Sequence, residues 1–154
     1  MQPRERVERE LLEMLGLTLR AYFPMPDDAH PAIWVSRTFT NVAAAIAAGD
    51  ARSVALACEL IERDPMLPFG KLVKSTLARA LKKQVSRILG PERRQVLGTT
   101  KKLLTQEFAP RELEDYCKLV KKFPPAEVAE MLKDVTPRNA KSAQLTKYLH
   151  ASDA

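Results

Sequence analysis

The residue types best suited to nucleophilic or metal chemistry are scarce in this chain, and their spacing works against both. The two cysteines, Cys58 and Cys117, stand far apart and outside any C-x-x-C spacing, so neither a redox pair nor a zinc knuckle is expected. Each falls on an apolar stripe, where a thiol acts as a small hydrophobe and not as a nucleophile. The two histidines are His30, in a proline-bounded stretch, and His150, near the C-terminus. Asp27, Asp28 and His30 are close enough in sequence to gather a metal, but a solvated loop is the expected state of such a cluster. Glu59, Glu62 and Asp64 lie near one another with nothing apolar to raise a carboxyl pKa, so they read as exposed helix-end carboxylates. The five glycines make no G-x-G-x-x-G. Gly98-Thr99-Thr100-Lys101 lacks the order of a phosphate-binding loop. No catalytic residue, metal site or cofactor site is therefore assigned, and a non-enzymatic binding protein is expected.

The chemistry the sequence does concentrate is positive charge. Residues 71 to 102 hold ten basic side chains and one acid, Glu92, whereas the remainder carries 15 basic and 18 acidic residues. The whole net charge of +6 is thus more than accounted for by one stretch. At 100° per residue, Arg79, Lys83 and Arg87 form an i, i+4, i+8 ridge with Lys82 beside it, opposite Leu77, Leu81, Val85 and Ile88. Like charges four apart repel, so such a ridge calls for an anion or an acidic neighbour. Phosphates would serve, with strongly salt-dependent affinity. No aromatic residue occurs from 71 to 102, which disfavours stacking on single-stranded bases and leaves the backbone of a duplex as the mode of contact. Lys71, Lys74, Arg79, Lys82, Lys83 and Arg87 are the candidate phosphate contacts. Compensation of the ridge by the protein's own carboxylates is the competing expectation. An amphipathic helix lying on anionic lipid is disfavoured, because the apolar face of 71–89 lacks Trp and Phe and is needed in the core.

Helices must position these side chains. Sustained period-two alternation is absent and apolar residues recur at helical spacing along most of the chain. Val7, Leu11, Met14, Thr18 and Tyr22 line a first helix, broken at Phe23-Pro24-Met25-Pro26-Asp27-Asp28 because two prolines within three residues cannot continue it. A second helix starts near Pro31 and buries Val35, Phe39, Val42 and Ile46. Gly49 ends it, and Asp50 caps a third with Val54, Ala57, Cys58 and Ile61 inward. That helix stops at Asp64-Pro65, and a loop with Pro68 leads to a fourth from Lys71 to Leu89. Pro91 opens a fifth to Phe108, and Pro110 a sixth with Leu113, Tyr116, Cys117 and Val120 inward. Pro124-Pro125 opens a seventh with Val128, Met131 and Leu132. Thr136-Pro137 caps an eighth running to Leu149, and residues 150–154 are expected to fray. Eight helices in 154 residues make a single all-α domain, either an irregular bundle or a curved array of helical hairpins. The proline-led starts favour the array, although no internal period is evident.

Hydrophobic residues are 45% and charged residues 29% of the chain, the ordinary globular range. A charged start, Met1-Gln2-Pro3-Arg4-Glu5-Arg6, without an apolar region after it predicts no signal peptide. No run approaches the ~18 apolar residues of a membrane span. Cytoplasmic placement, with both thiols reduced, is the expectation.

Glu127-Val128-Ala129-Glu130-Met131-Leu132, followed by Lys133-Asp134-Val135-Thr136-Pro137 and then Arg138-Asn139-Ala140-Lys141-Ser142, resembles the helix-turn-helix of bacterial regulators and sigma-factor-like domains. The resemblance implies that Ala129 packs between two helices and that Arg138, Asn139, Lys141 and Ser142 face a major groove. The motif is degenerate: its turn glycine is absent, Lys133-Asp134 adds a residue, and Gln144 stands where an apolar anchor belongs. The same segment from Phe123 to Leu132 is similar to the proline-led helical-hairpin modules of flagellar-switch proteins and of magnesium-channel cytoplasmic domains. Ala47-Ala48-Gly49-Asp50 with Glu62-Arg63-Asp64-Pro65 is similar to the end of one tetratricopeptide unit. Two functions follow as expectations. One is duplex nucleic-acid binding, DNA first, through the basic helical face with readout from Arg138, Asn139 and Lys141. The other is a helical-repeat-like scaffold or adaptor whose basic face docks an acidic protein. Homo-oligomers are compatible with both.

Overall fold

The computed structural model describes residues 3–24, 30–67 and 70–151. Asp27 and Asp28, residues 25–26 of the expected proline break, Pro68 and residues 152–154 lie outside the described residues, while His150, expected to fray, is helical. Among those described there are eight α-helices and two short 3-10 segments, and no strand. The helices are α1 (Pro3–Leu15), α2 (Pro31–Ala47), α3 (Ala51–Arg63), α4 (Gly70–Lys82), α5 (Gly90–Leu104), α6 (Glu112–Val120), α7 (Pro125–Leu132) and α8 (Ala140–His150).

Each helix packs on the helix two places along the chain. Within one layer α1 meets α3, α3 meets α5 and α5 meets α7. Within the other α2 meets α4, α4 meets α6 and α6 meets α8. The chain is therefore a two-layer array of antiparallel hairpins, with odd-numbered helices in one layer and even-numbered helices in the other. Polar bridges between successive connections fix the stacking. At one edge Gln84 donates to Ala47 O at 3.1 Å and Arg87 Nη1 to Gly49 O at 3.4 Å. At the opposite edge Asn139 Nδ2 donates to Gln106 O at 3.1 Å and Arg138 pairs with Glu107 at 2.8 Å. One continuous apolar core runs from Leu11 to Leu149 and takes in side chains of all eight helices. No described helix is long and apolar enough to cross a membrane.

Local chemistry explains most helix ends. Asp50 Oδ1 accepts from Arg52 N at 3.3 Å and caps α3. Gly49 before it is held at φ +84, where a side chain would be strained, and the Arg87 guanidinium, 3.0 Å from where a Cβ would stand, would have to shift to admit one. Asp64 ends α3 in the left-handed region at φ 47, a conformation that Asp tolerates better than most. Glu92, the one acid of the basic stretch, accepts from Leu89 N at 2.9 Å and caps α5. The inward stripes of α2, α3, α6 and α7 are buried as their spacing predicts.

Four expectations are corrected. The first helix ends at Leu15; Gly16 at φ 88 turns the chain into a 3-10 segment over Leu17–Tyr22, and Thr18 is exposed. The fourth ends at Lys82, not Leu89, and Val85–Arg87 form a separate 3-10 turn. No Gly or Pro marks that break. Tertiary contacts make it, as Gln84 and Arg87 seize the preceding connection and Ile88 turns inward. The fifth ends at Leu104 instead of Phe108. The eighth starts at Ala140, capped by Asn139, whose Oδ1 accepts from Ser142 N at 2.7 Å, and not by Thr136.

Candidate functional site

Both cysteines are fully buried. Burial pushes the Cys58 thiol far above its ordinary value, with Glu92 adding to it. Burial likewise takes Cys117 up to about 12, with Glu114 second. Both stay protonated at neutral pH, the state of a small hydrophobe. His30 caps α2, its Nδ1 accepting from Ala32 N at 3.1 Å. Thr99 and Thr100, in the glycine-threonine segment, are buried and donate to Ile61 O at 3.1 Å and Val96 O at 2.8 Å. Asp64 is not a free helix-end carboxylate; it accepts from Lys74 Nζ at 2.6 Å.

The array divides the basic stretch between its layers. Helix α4 carries Lys71, Lys74, Arg79 and Lys82 into the even layer, and α5 carries Arg93, Arg94, Lys101 and Lys102 into the odd layer. In the odd layer these charges meet carboxylates: Arg93 binds both oxygens of Glu127 at 3.0 Å, and Lys101 lies 4.0 Å from Asp134. Summed over the layer, the odd helices hold nine basic and nine acidic residues. The even helices hold eight basic and three acidic, with no carboxylate at all on α2, α4 or α8. The outer face of that layer is the candidate site.

Its membership differs from the ridge read in the sequence. Arg79, 65% exposed along its side chain, pairs bidentately with Asp115 of α6 at 3.2 and 3.3 Å. Lys83 follows α4 and is exposed. Arg87 lies off the helix, against Gly49, so the i, i+4, i+8 ridge does not exist as one surface. Lys74 is 7% exposed and points inward to Asp64, away from any phosphate. Lys71 is exposed and Lys82 half-buried at the margins of the face. Lys141 completes it on α8, within 3.5 Å of Glu114, which also meets Lys118 at 3.9 Å. Arg111, Lys118, Lys122 and Lys147, all exposed, share the face through α6, α8 and their flanks. The sequence reading missed these four. Their charges are scattered singly among acids along the chain, and only the stacking of even helices brings them together.

The C-terminal motif takes another geometry. Seven residues, 133–139, separate α7 from α8, about twice the length of a helix-turn-helix turn. Ala129 is exposed instead of packed between the helices, and Ser142 is buried instead of groove-facing. Arg138 and Asn139 bind Glu107 and Gln106 O in the neighbouring connection. Two of the three side chains expected to read bases, Arg138 and Asn139, therefore join two loops. Fold and surface define the chain as an all-α hairpin array with its excess positive charge sorted into one layer. No protein-family model, curated protein or solved structure matches it.

Proposed function

We propose that this chain is a non-enzymatic binding protein that engages the phosphate backbone of duplex nucleic acid through the outer face of its even-numbered helices. The observation that carries this is the charge asymmetry between layers, with eight basic and three acidic residues on the even helices against nine and nine on the odd ones. Of the three acids, Glu112 is buried while Glu114 and Asp115 are each engaged by basic neighbours. Lys83, Arg111, Lys122 and Lys147 make no ion pair among the described residues and are the principal phosphate contacts. Lys118 adds a fifth once Glu114 releases it. The contacts supply affinity and no base readout.

The test is binding to a fluorescent DNA duplex across salt concentrations. Five phosphate contacts give a slope of log K against log salt of about −4.5. Lys83→Glu with Lys122→Glu should abolish binding, whereas Arg94→Glu with Lys102→Glu, an equal charge change on the odd layer, should leave most of it. Equal losses from both pairs would reduce the effect to net charge and overturn the proposal.

Docking of an acidic protein is favoured by one specific observation. Glu114 and Asp115 stand among the cations of the face, a mixed pattern better matched to a folded partner than to a uniformly negative rail. Negligible duplex binding at low salt would make that the leading function.

A further inference from the structure

The even layer also holds a cavity between α6 and α8. Its volume is about 240 Å³, and it is lined by Glu114 and Lys118 of α6 and by Lys141, Gln144, Leu145 and Tyr148 of α8. Positions 114 and 118 are one turn apart, and 141, 144 and 148 follow one stripe, so both rows border the same groove. Leu145, 6% exposed, forms an apolar floor. Among the described residues Tyr148 is the one exposed aromatic side chain on an α-helix. Lys121 Nζ stands 5.1 Å from the centre of its ring, and Lys121 does not line the cavity. Glu114 meets both lysines, Lys118 at 3.9 Å and Lys141 at 3.5 Å, so the three side chains together leave one positive charge beside the cavity. Gln144, the polar residue where a helix-turn-helix needs an apolar anchor, lines the cavity with an amide instead.

We propose that this cavity holds one unpaired nucleobase, so that the preferred partner of the even face is a duplex interrupted by a bulged nucleotide. The inference rests on the phosphate-backbone reading above and deepens it. Pockets for whole drug-sized ligands run to roughly 300–1,000 Å³; this one is smaller and suits a single flat ring system. The tyrosine ring supplies a stacking partner that accepts any base. Leu145 supplies the apolar floor, and the Gln144 amide offers the base edge both a donor and an acceptor. The nucleotide's own phosphate then falls to Lys118 or Lys141 and displaces Glu114. Lys122, one turn beyond Lys118, and Lys147, next to Tyr148, are principal phosphate contacts, so the cavity opens within the surface that takes the backbone. The lack of aromatics from 71 to 102 excludes stacking only along that stretch; the ring arrives from α8.

The experiment is fluorescence anisotropy of the full chain, at low salt, with three labelled DNA duplexes of one sequence: fully paired, with one bulged thymine, and with an abasic site in place of that thymine. The abasic duplex keeps the bulge and its phosphate and lacks only the base. The bulged base should tighten binding on the order of tenfold over the abasic bulge. Tyr148→Leu should bring those two duplexes to equal affinity, and Tyr148→Phe should retain the difference, with circular dichroism checking that both variants fold. Equal affinity of the unaltered chain for the bulged and abasic duplexes would overturn the proposal and leave the backbone reading standing. That is also the result expected if the cavity takes an aromatic side chain of an acidic protein. A difference that survives in Tyr148→Leu would overturn it as well. No binding to any of the three duplexes would remove the backbone reading itself, and this inference with it.

Discussion

Lys74 and Asp64 offer the sharpest test of how the structure reassigns the basic stretch. The ammonium lies 2.6 Å from Asp64 Oδ1, with the lysine side chain 9% exposed and the aspartate 26%. The two ends are unequally buried, so removing either should have unequal consequences. Asp64→Asn keeps a residue that tolerates the left-handed backbone but strands a buried ammonium, which costs about 3–5 kcal/mol. Lys74→Met fills the same space and leaves a carboxylate that can turn toward water, for about 1–2 kcal/mol. Urea unfolding followed at 222 nm resolves the two. With an m-value of about 2 kcal/mol/M, Asp64→Asn moves the midpoint down by about 2 M and Lys74→Met by less than about 1 M. The double variant should be no less stable than Asp64→Asn alone. A Lys74→Met cost equal to the Asp64→Asn cost would refute the assigned burial. Unchanged stability with weakened duplex binding would return Lys74 to the surface.

Three further outcomes follow from single positions. Leu81→Ala, at a fully buried site on α4, should destabilise by about 2–5 kcal/mol in the same unfolding assay. Gly98→Ala should stabilise by about 0.5–1 kcal/mol and raise the melting temperature, since nothing lies within 4 Å of an added Cβ; a loss would mean the exposed face of α5 is not open. Tyr22 is raised to about 12, by burial first and then by its 2.8 Å hydrogen bond to Asp50. A raised pKa contributes stability that is complete below the unfolded value and is lost as pH climbs through the folded one, so stability should fall between about pH 10 and pH 12. Tyr22→Phe should flatten that part of a stability-against-pH profile, and an unaltered alkaline fall would place its cause elsewhere.

The local grammar of the chain is written plainly. Prolines at 31, 91 and 125 stand at or next to helix starts, Asp50 caps α3, and the stripes of α2, α3, α6 and α7 point inward as their spacing requires. What depends on distant partners is not. Nothing between Lys71 and Leu89 breaks a helix, so the stop at Lys82 becomes visible only when Ala47 and Gly49 are seen to receive Gln84 and Arg87. Lys74 shares the charge of its neighbours along α4, and only the end of α3 packed beside it turns it inward.

The candidate site was hidden for a related reason. Along the chain residues 71 to 102 form one block of positive charge, but a hairpin array deals successive helices into alternate layers. The block is cut at the turn between α4 and α5, and its halves reach opposite faces. There the odd half meets Glu127 and Asp134, while the even half gains Lys118, Lys141 and Lys147 from helices far along the sequence. Charge in such a fold becomes a surface property when summed over every second helix. For this chain that sum leaves one layer neutral and gives the other an excess of five positive charges, eight basic against three acidic. Replacing Lys118 and Lys147 by Glu while Glu10 and Glu13 become Lys would preserve composition and net charge but leave an excess of one positive charge on the even helices and four on the odd ones, and an array so altered should lose polyanion affinity with its melting temperature little changed.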